Sequence, residues 1–142
     1  KFFPYDSPLL VHNVDIFSDL DLSRLMQTHA ENINDATLVV NSSPSDRALV
    51  FDDKNRLLGR TSEQYKNCGN HYGFCGIQVI QPFLFRNVRK DVFYSIDTYI
   101  EASKNGHNIA AYSMDNYYWQ DIGSEQDLLQ AQRDIKERRL II

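Results

Sequence analysis

The apolar positions change their period several times along this chain, and each change predicts an element. Leu9, Leu10 and Val11 form a short continuous run that leads into His12-Asn13-Val14-Asp15. That pattern predicts a strand buried on both faces, central and parallel in its sheet, with a carboxylate at its end. Ser18-Asp19-Leu20-Asp21 has the S-x-x-D form of a helix cap, and Leu22, Leu25, Met26, His29 and Ile33 then fall on one helical face. Residues 36–40 are β-branched enough for a second strand. Residues 48–51 and 56–59 flank the polar cluster Asp52-Asp53-Lys54-Asn55 and predict a hairpin. No period is present in residues 60–70, a candidate substrate loop, before a strand over 72–80 that carries Phe74, Gly76 and Ile77 and stops ahead of Pro82.

The second half continues the alternation. Ser95 is placed to cap a helix bearing Ile96, Tyr99 and Ile100, which Asn105-Gly106 ends with a left-handed residue. Residues 107–114 and 117–122 read as strands. Ser124 to Asp127 repeats the S-x-x-D cap ahead of a last helix marked by Leu128, Ala131, Gln132 and Ile135, whose basic end (Lys136, Arg138, Arg139) suits the helix dipole. Strands alternating with helices predict an α/β domain with a mixed, mostly parallel sheet flanked by helices, and a ligand site beyond the carboxyl ends of the strands. Asp15 and Asp121 both fall at such ends, and two strand-end carboxylates can share a divalent metal.

Composition narrows the partners. The 142 residues fit one domain, in which about 68–70% of the extended-chain surface can be buried. Fifteen basic against nineteen acidic residues give a net charge of -4, so there is no general attraction to nucleic acid or anionic membrane. No apolar run approaches the roughly 20 residues of a membrane-spanning helix. Cys68 and Cys75 lack a matching Cys/His pair, which speaks against zinc and a disulfide framework and for free thiols in a reducing, cytoplasmic setting. His12, His29, His71 and His107 are scattered and receive no chemical role. Arg47 and Arg60 are candidates for phosphate contact by position alone, in polar connecting segments.

Three ordered motifs carry a resemblance. His12-Asn13-Val14-Asp15 with Asp19-Leu20-Asp21-Leu22, then Phe74-Cys75-Gly76-Ile77-Gln78-Val79-Ile80, then Trp119-Gln120-Asp121-Ile122-Gly123-Ser124 with Leu128 and Ala131, together resemble the sugar-1-phosphate nucleotidylyltransferases. That group includes guanylyl-, thymidylyl- and uridylyltransferases and has a Rossmann-like nucleotide-diphospho-sugar transferase fold. Its glycine-rich G-x-G-T-R loop and downstream P-K pair have no match here. With Lys1 rather than methionine at the start, the resemblance implies a single partial domain over 1–142, the C-terminal portion, inactive alone.

The resemblance also implies a reaction and a site. A sugar-1-phosphate oxygen attacks the α-phosphorus of a nucleoside triphosphate, pyrophosphate leaves, and magnesium assists. Asp15 and Asp121 would be the catalytic metal ligands, while Asn13, Gly76 and Trp119 would contact substrate: Asn13 by hydrogen bonding, Gly76 by close backbone approach, Trp119 by walling the sugar pocket. Val14 stands where the family more often has glycine. Guanylyl and uridylyl transfer are the donors the resemblance favours, and a second copy of the chain is a candidate partner.

Each role has a plainer counterpart. Asp15 and Asp121 also suit turn or capping positions, Gly76 relief of strand crowding, and Trp119 and Tyr118 core packing, which for Tyr118 is the preferred reading. The missing nucleotide loop equally suits a second class of function, a non-catalytic module of the same fold that binds a nucleotide sugar or serves assembly.

Overall fold

The computed structural model describes residues 7–43, 48–86, 88 and 94–137. Arg47, Arg138, Arg139 and the Lys1 terminus lie outside them. In chain order the elements are β1 (Leu9–His12), β2 (Ile16–Ser18), α1 (Leu22–Glu31), β3 (Ala36–Asn41), β4 (Leu49–Phe51), β5 (Leu57–Arg60), β6 (Asn70–Ile80), α2 (Ser95–Lys104), β7 (Ile109–Ser113), β8 (Trp119–Asp121) and α3 (Glu125–Lys136). Single 3-10 turns occupy Glu63–Tyr65 and Pro82–Phe85.

The long strand β6 organises the sheet. It pairs antiparallel with β3 from Ala36↔Ile80, with β1 from Leu9↔Ile80 to His12↔Ile77, and through its first residues with β4, on which β5 lies. β7 adds to β3 in parallel, and β2 and β8 form a separate antiparallel ladder.

The α/β expectation is met, but a mostly parallel sheet is not. Among the described pairings only β3 with β7 is parallel. β6 runs against both of its long neighbours, and the tight Asp52–Asn55 turn, with Asn55 at φ 64, can only return an antiparallel strand. β1 is likewise not a central parallel strand. It pairs with β6 alone among the described residues, its residues alternate half-buried and exposed, and the run breaks into a turn at Val14-Asp15 before β2.

The sheet is covered on both faces. Ala36, Leu38 and Val40 of β3 face a cluster with Phe51, Leu57, Tyr99 and Ile109 under α2, while Val39 faces Leu25, Ile77, Val79 and Met114 under α1. Burial on both sides explains why β3 reads as a continuous apolar run.

The helix ends differ in detail from the sequence reading. Asp21, not Ser18, caps α1, accepting from the Arg24 N–H at 2.9 Å. Ser18 instead accepts from Leu20 N at 3.0 Å. Ile33 has left the helix at φ 51 and is exposed. Ser95 is the first residue of α2 rather than its cap, whereas Gly106 takes the expected left-handed terminus at φ +89. Ser124 caps α3 as expected, accepting from Asp127 N and donating to Asp127 Oδ2 at 2.6 Å.

α1 also buries His29. Its Nδ1 lies 2.9 Å from Thr37 Oγ1, which accepts from Asn34 as well, and Gln81 Nε2 sits 3.3 Å from its Nε2. Burial holds this imidazole below its ordinary pKa, with Asp35 pulling weakly the other way. The neutral ring is therefore the folded form, and the unfolded chain binds the extra proton. Stability is fully present above the unfolded value of about 6.5 and is lost as pH falls below it toward the lowered folded pKa. Thermal midpoints should drop between pH 7.5 and pH 5.5, and the drop should shrink in His29→Gln.

Candidate functional site

The site begins with a fault in β6. Between Leu38↔Gln78 and Val40↔Phe74 one residue of β3 opposes three of β6, and Gly76 in the middle adopts φ +74. Such a bulge turns backbone groups out of the ladder, and those groups need partners elsewhere. Two residues singled out from sequence supply them. Trp119 Nε1 donates to Cys75 O at 2.9 Å, and Asn13 N donates to Gly76 O at 2.9 Å. The bulge thereby ties the β1–β2 turn and β8 to one point of the sheet.

The carboxylates follow from that knot. β2 and β8 pair with Ile16 opposite Asp121, and Ile122 N donates to the Asp15 carbonyl at 2.8 Å, so the backbones of Asp15, in the turn before β2, and Asp121, at the end of β8, lie one register step apart. Both are exposed. Asp121 Oδ1 accepts from Gly123 N at 2.8 Å, which orients the group and leaves Oδ2 for a ligand. The backbone segments that carry Asn13, Asp15, Gly76, Trp119 and Asp121 are thus joined near the carboxyl end of β1.

Gly76 is required here by both conformation and space. A Cβ would lie 2.9 Å from Ile16 Cγ1 and 3.0 Å from Asn13 Nδ2, so the Asn13 amide occupies the position a side chain would need. Val14 is 99% exposed, so a valine where glycine was expected meets no crowding. Trp119 is half-buried, holding one edge on the bulge. Trp119→Phe should cost about 1–2 kcal/mol by leaving the Cys75 carbonyl without its donor, read as a lower urea midpoint at unchanged slope.

Several positioning residues were not legible in the sequence. Asp19 Oδ1 accepts from Tyr118 N at 2.7 Å, fastening the segment after β2 to the start of β8. Asp115 takes the Ser42 N–H at 2.8 Å, the Ser42 hydroxyl and the Ser113 hydroxyl at 2.9 Å, clamping the carboxyl ends of β3 and β7. The Ser42 hydroxyl and N–H hold its pKa below the usual carboxylate range. Tyr118 is a packing residue as expected: its hydroxyl donates to buried Asp134 at 2.8 Å, and burial with that neighbour pushes it up to about 12. Burial also pushes the Cys75 thiol up to about 12, so it is neutral and inert. Arg60 is engaged with Asp97 at 2.8 Å on α2, which removes it as a phosphate contact of this site.

Two carboxylates at a strand end are a donor set that suits magnesium, which is held by one or two carboxylates together with substrate phosphates and water. No third histidine, cysteine or acid joins them among the described residues, so an all-protein metal cage is not what this arrangement provides.

No family model matches the chain. In sequence it is similar to a glucose-1-phosphate adenylyltransferase of Clostridium novyi (strain NT), 29% identical over 143 positions that cover 92% of this chain and 37% of that protein. In structure it is similar to a Bacillus anthracis protein described as a glucose-1-phosphate thymidylyltransferase in complex with a sucrose, with TM-score 0.69, 15% identity, and coverage of 89% of this chain and 53% of that one. HddC from Yersinia pseudotuberculosis is also similar, with TM-score 0.66, 16% identity, and coverage of 91% and 56%. The chain therefore spans about a third to a half of the length of these relatives. The sequence match across nearly the whole chain and the shared Rossmann-like fold make the chain similar to part of the sugar-1-phosphate nucleotidylyltransferases.

Proposed function

We propose that the protein carrying this chain joins a sugar-1-phosphate to a nucleoside triphosphate, giving a nucleotide sugar and pyrophosphate, and that this chain supplies the sugar-phosphate side of the site. The joining at one bulge of the segments that carry Asn13, Asp15, Gly76, Trp119 and Asp121 is the observation that carries the reading. Phosphoryl transfer asks for positioning and charge neutralisation more than covalent chemistry from the protein.

The residues divide that work. Gly76 lets the Asn13 side chain pack onto the bulge, Trp119 offers a sugar ring an apolar face, and the Asn13 amide hydrogen-bonds a hydroxyl or phosphate oxygen. Asp15 and Asp121 would repel phosphates if left bare, and a divalent cation between carboxylates and phosphates reverses that repulsion. When bound, magnesium would neutralise the charge developing on the transferred phosphate. The test is pyrophosphate release by the complete gene product that contains this sequence, over a panel of GTP, UTP, TTP and ATP against several sugar-1-phosphates. Release should require magnesium and one particular pair. Absence of release for every pair would reject the reading.

A further inference from the structure

A second cavity of about 530 Å³ lies at the other end of the molecule, lined by Asp52, Arg56 and Leu57 of the β4–β5 hairpin, Tyr65, and Lys104 and His107 around the end of α2. β1, β3 and β7 run in one direction, because β6 is antiparallel to β1 and β3, and β3 is parallel to β7. Asn13 follows the last residue of β1, whereas His107 precedes the first residue of β7. The two sites therefore open at opposite ends of the sheet.

In a protein of net charge -4 this cavity brings Arg56, Lys104 and His107 together, with Asp52 in its lining and Asp35 behind His107. Asp52 is already spent. It accepts from Lys54 N at 2.9 Å and Arg56 N at 2.8 Å and pairs with the Arg56 guanidinium at 3.2 Å.

At the end of α2 the Glu101, Ala102 and Ser103 carbonyls are taken up by backbone N–H groups. Asn105 N bonds Glu101 O and Ala102 O, Gly106 N bonds Ser103 O, and His107 N bonds Ala102 O. His107 Nδ1 is turned to Asp35 Oδ2 at 3.0 Å, which leaves Nε2 for a ligand. On the hairpin side the Tyr65 ring lies so close to Gly59 that a Cβ there would be 2.8 Å from Cε2, and this fixes an aromatic wall.

We propose that this cavity is a second binding site, taking a phosphate group on Arg56, Lys104 and His107, with room beside Tyr65 for a small organic remainder. The volume lies within the range of small-molecule pockets and exceeds what a bare phosphate fills. The Arg56 guanidinium faces Asp52 through Nε and Nη2 and keeps Nη1 for a phosphate oxygen, and the Lys104 ammonium adds a point charge.

The test is amide chemical-shift titration of the isotope-labelled complete protein that contains this sequence, at constant ionic strength, with inorganic phosphate and, separately, glycerol 3-phosphate. The expected result is saturable shifts at Arg56, Lys104, His107 and Asn108, with affinity at least five-fold weaker in Lys104→Ala and in Arg56→Gln. Tighter binding of the ester identifies an esterified ligand, and equal affinity identifies free phosphate. Shifts that are linear, that are unchanged in both variants, or that are confined to Asn13–Asp15 and Trp119–Asp121 would overturn the proposal.

Discussion

Asp15→Asn and Asp121→Asn should each lower kcat in the complete protein by on the order of a thousand-fold, about 4 kcal/mol of transition-state stabilisation. The changes are nearly isosteric, so they remove charge without removing shape. Asp15 is exposed, and its structural bond is made by its backbone carbonyl, which asparagine keeps. Asparagine at 121 likewise retains the Oδ1 acceptor that Gly123 N needs. Thermal midpoints should therefore stay close to the parent while turnover collapses. The double variant should be little worse than either single one, because residues that act as a unit are strongly non-additive. Initial rates of pyrophosphate release across a magnesium series check both points, and full activity in either variant would remove that residue from the site.

Gly76→Ala should destabilise the fold and the site together. Alanine at φ +74 pays the left-handed penalty, and its Cβ would stand 2.9 Å from Ile16 and 3.0 Å from the Asn13 amide. Those neighbours must move, and moving them disturbs the Asn13–Gly76 and Trp119–Cys75 bonds that close the bulge. The combined cost is about 2–4 kcal/mol, strain plus overpacking. Urea unfolding should show a lower midpoint with unchanged slope. Turnover should fall as well, measured at a temperature where the variant is still folded. Gly106, by contrast, has nothing within 4 Å of a would-be Cβ, so Gly106→Ala should cost only the backbone strain. Comparing the two separates the conformational penalty from the steric one.

The sequence carried the elements and the site more readily than the sheet. Period, capping patterns and turn clusters located the helices, the Asp52–Asn55 hairpin and the long apolar β6, because these are local signals. Strand direction is not local. The residues of β6 look the same whichever way their neighbours run, which is why a mostly parallel sheet was expected and a largely antiparallel one is found. The apolar run at 9–11 promised a doubly buried strand, yet the next four residues turn the chain away at Val14-Asp15.

The candidate site was marked in the sequence by strand-end carboxylates and by one glycine inside a strand. Asn13, Asp15, Gly76, Trp119 and Asp121 were each marked by position or motif, and the resemblance gave their order. The fastenings were not legible. A bulge whose carbonyls are satisfied by an indole and a backbone N–H is a long-range arrangement, as are the Asp19–Tyr118 and Asp115–Ser42 bonds, with partners up to 99 residues apart. Pairing of Arg60 with Asp97 has the same character, and it removed a phosphate contact suggested only by polar surroundings.

The most direct test of the central proposal, that Asp15 and Asp121 hold a divalent cation beside Trp119, is a crystal structure of the complete protein with manganese and its nucleotide sugar. The account predicts an anomalous peak within coordination distance of one oxygen of Asp15 and of Asp121 Oδ2, with the sugar ring lying against Trp119. A peak held by other residues, with neither carboxylate in contact, would contradict it.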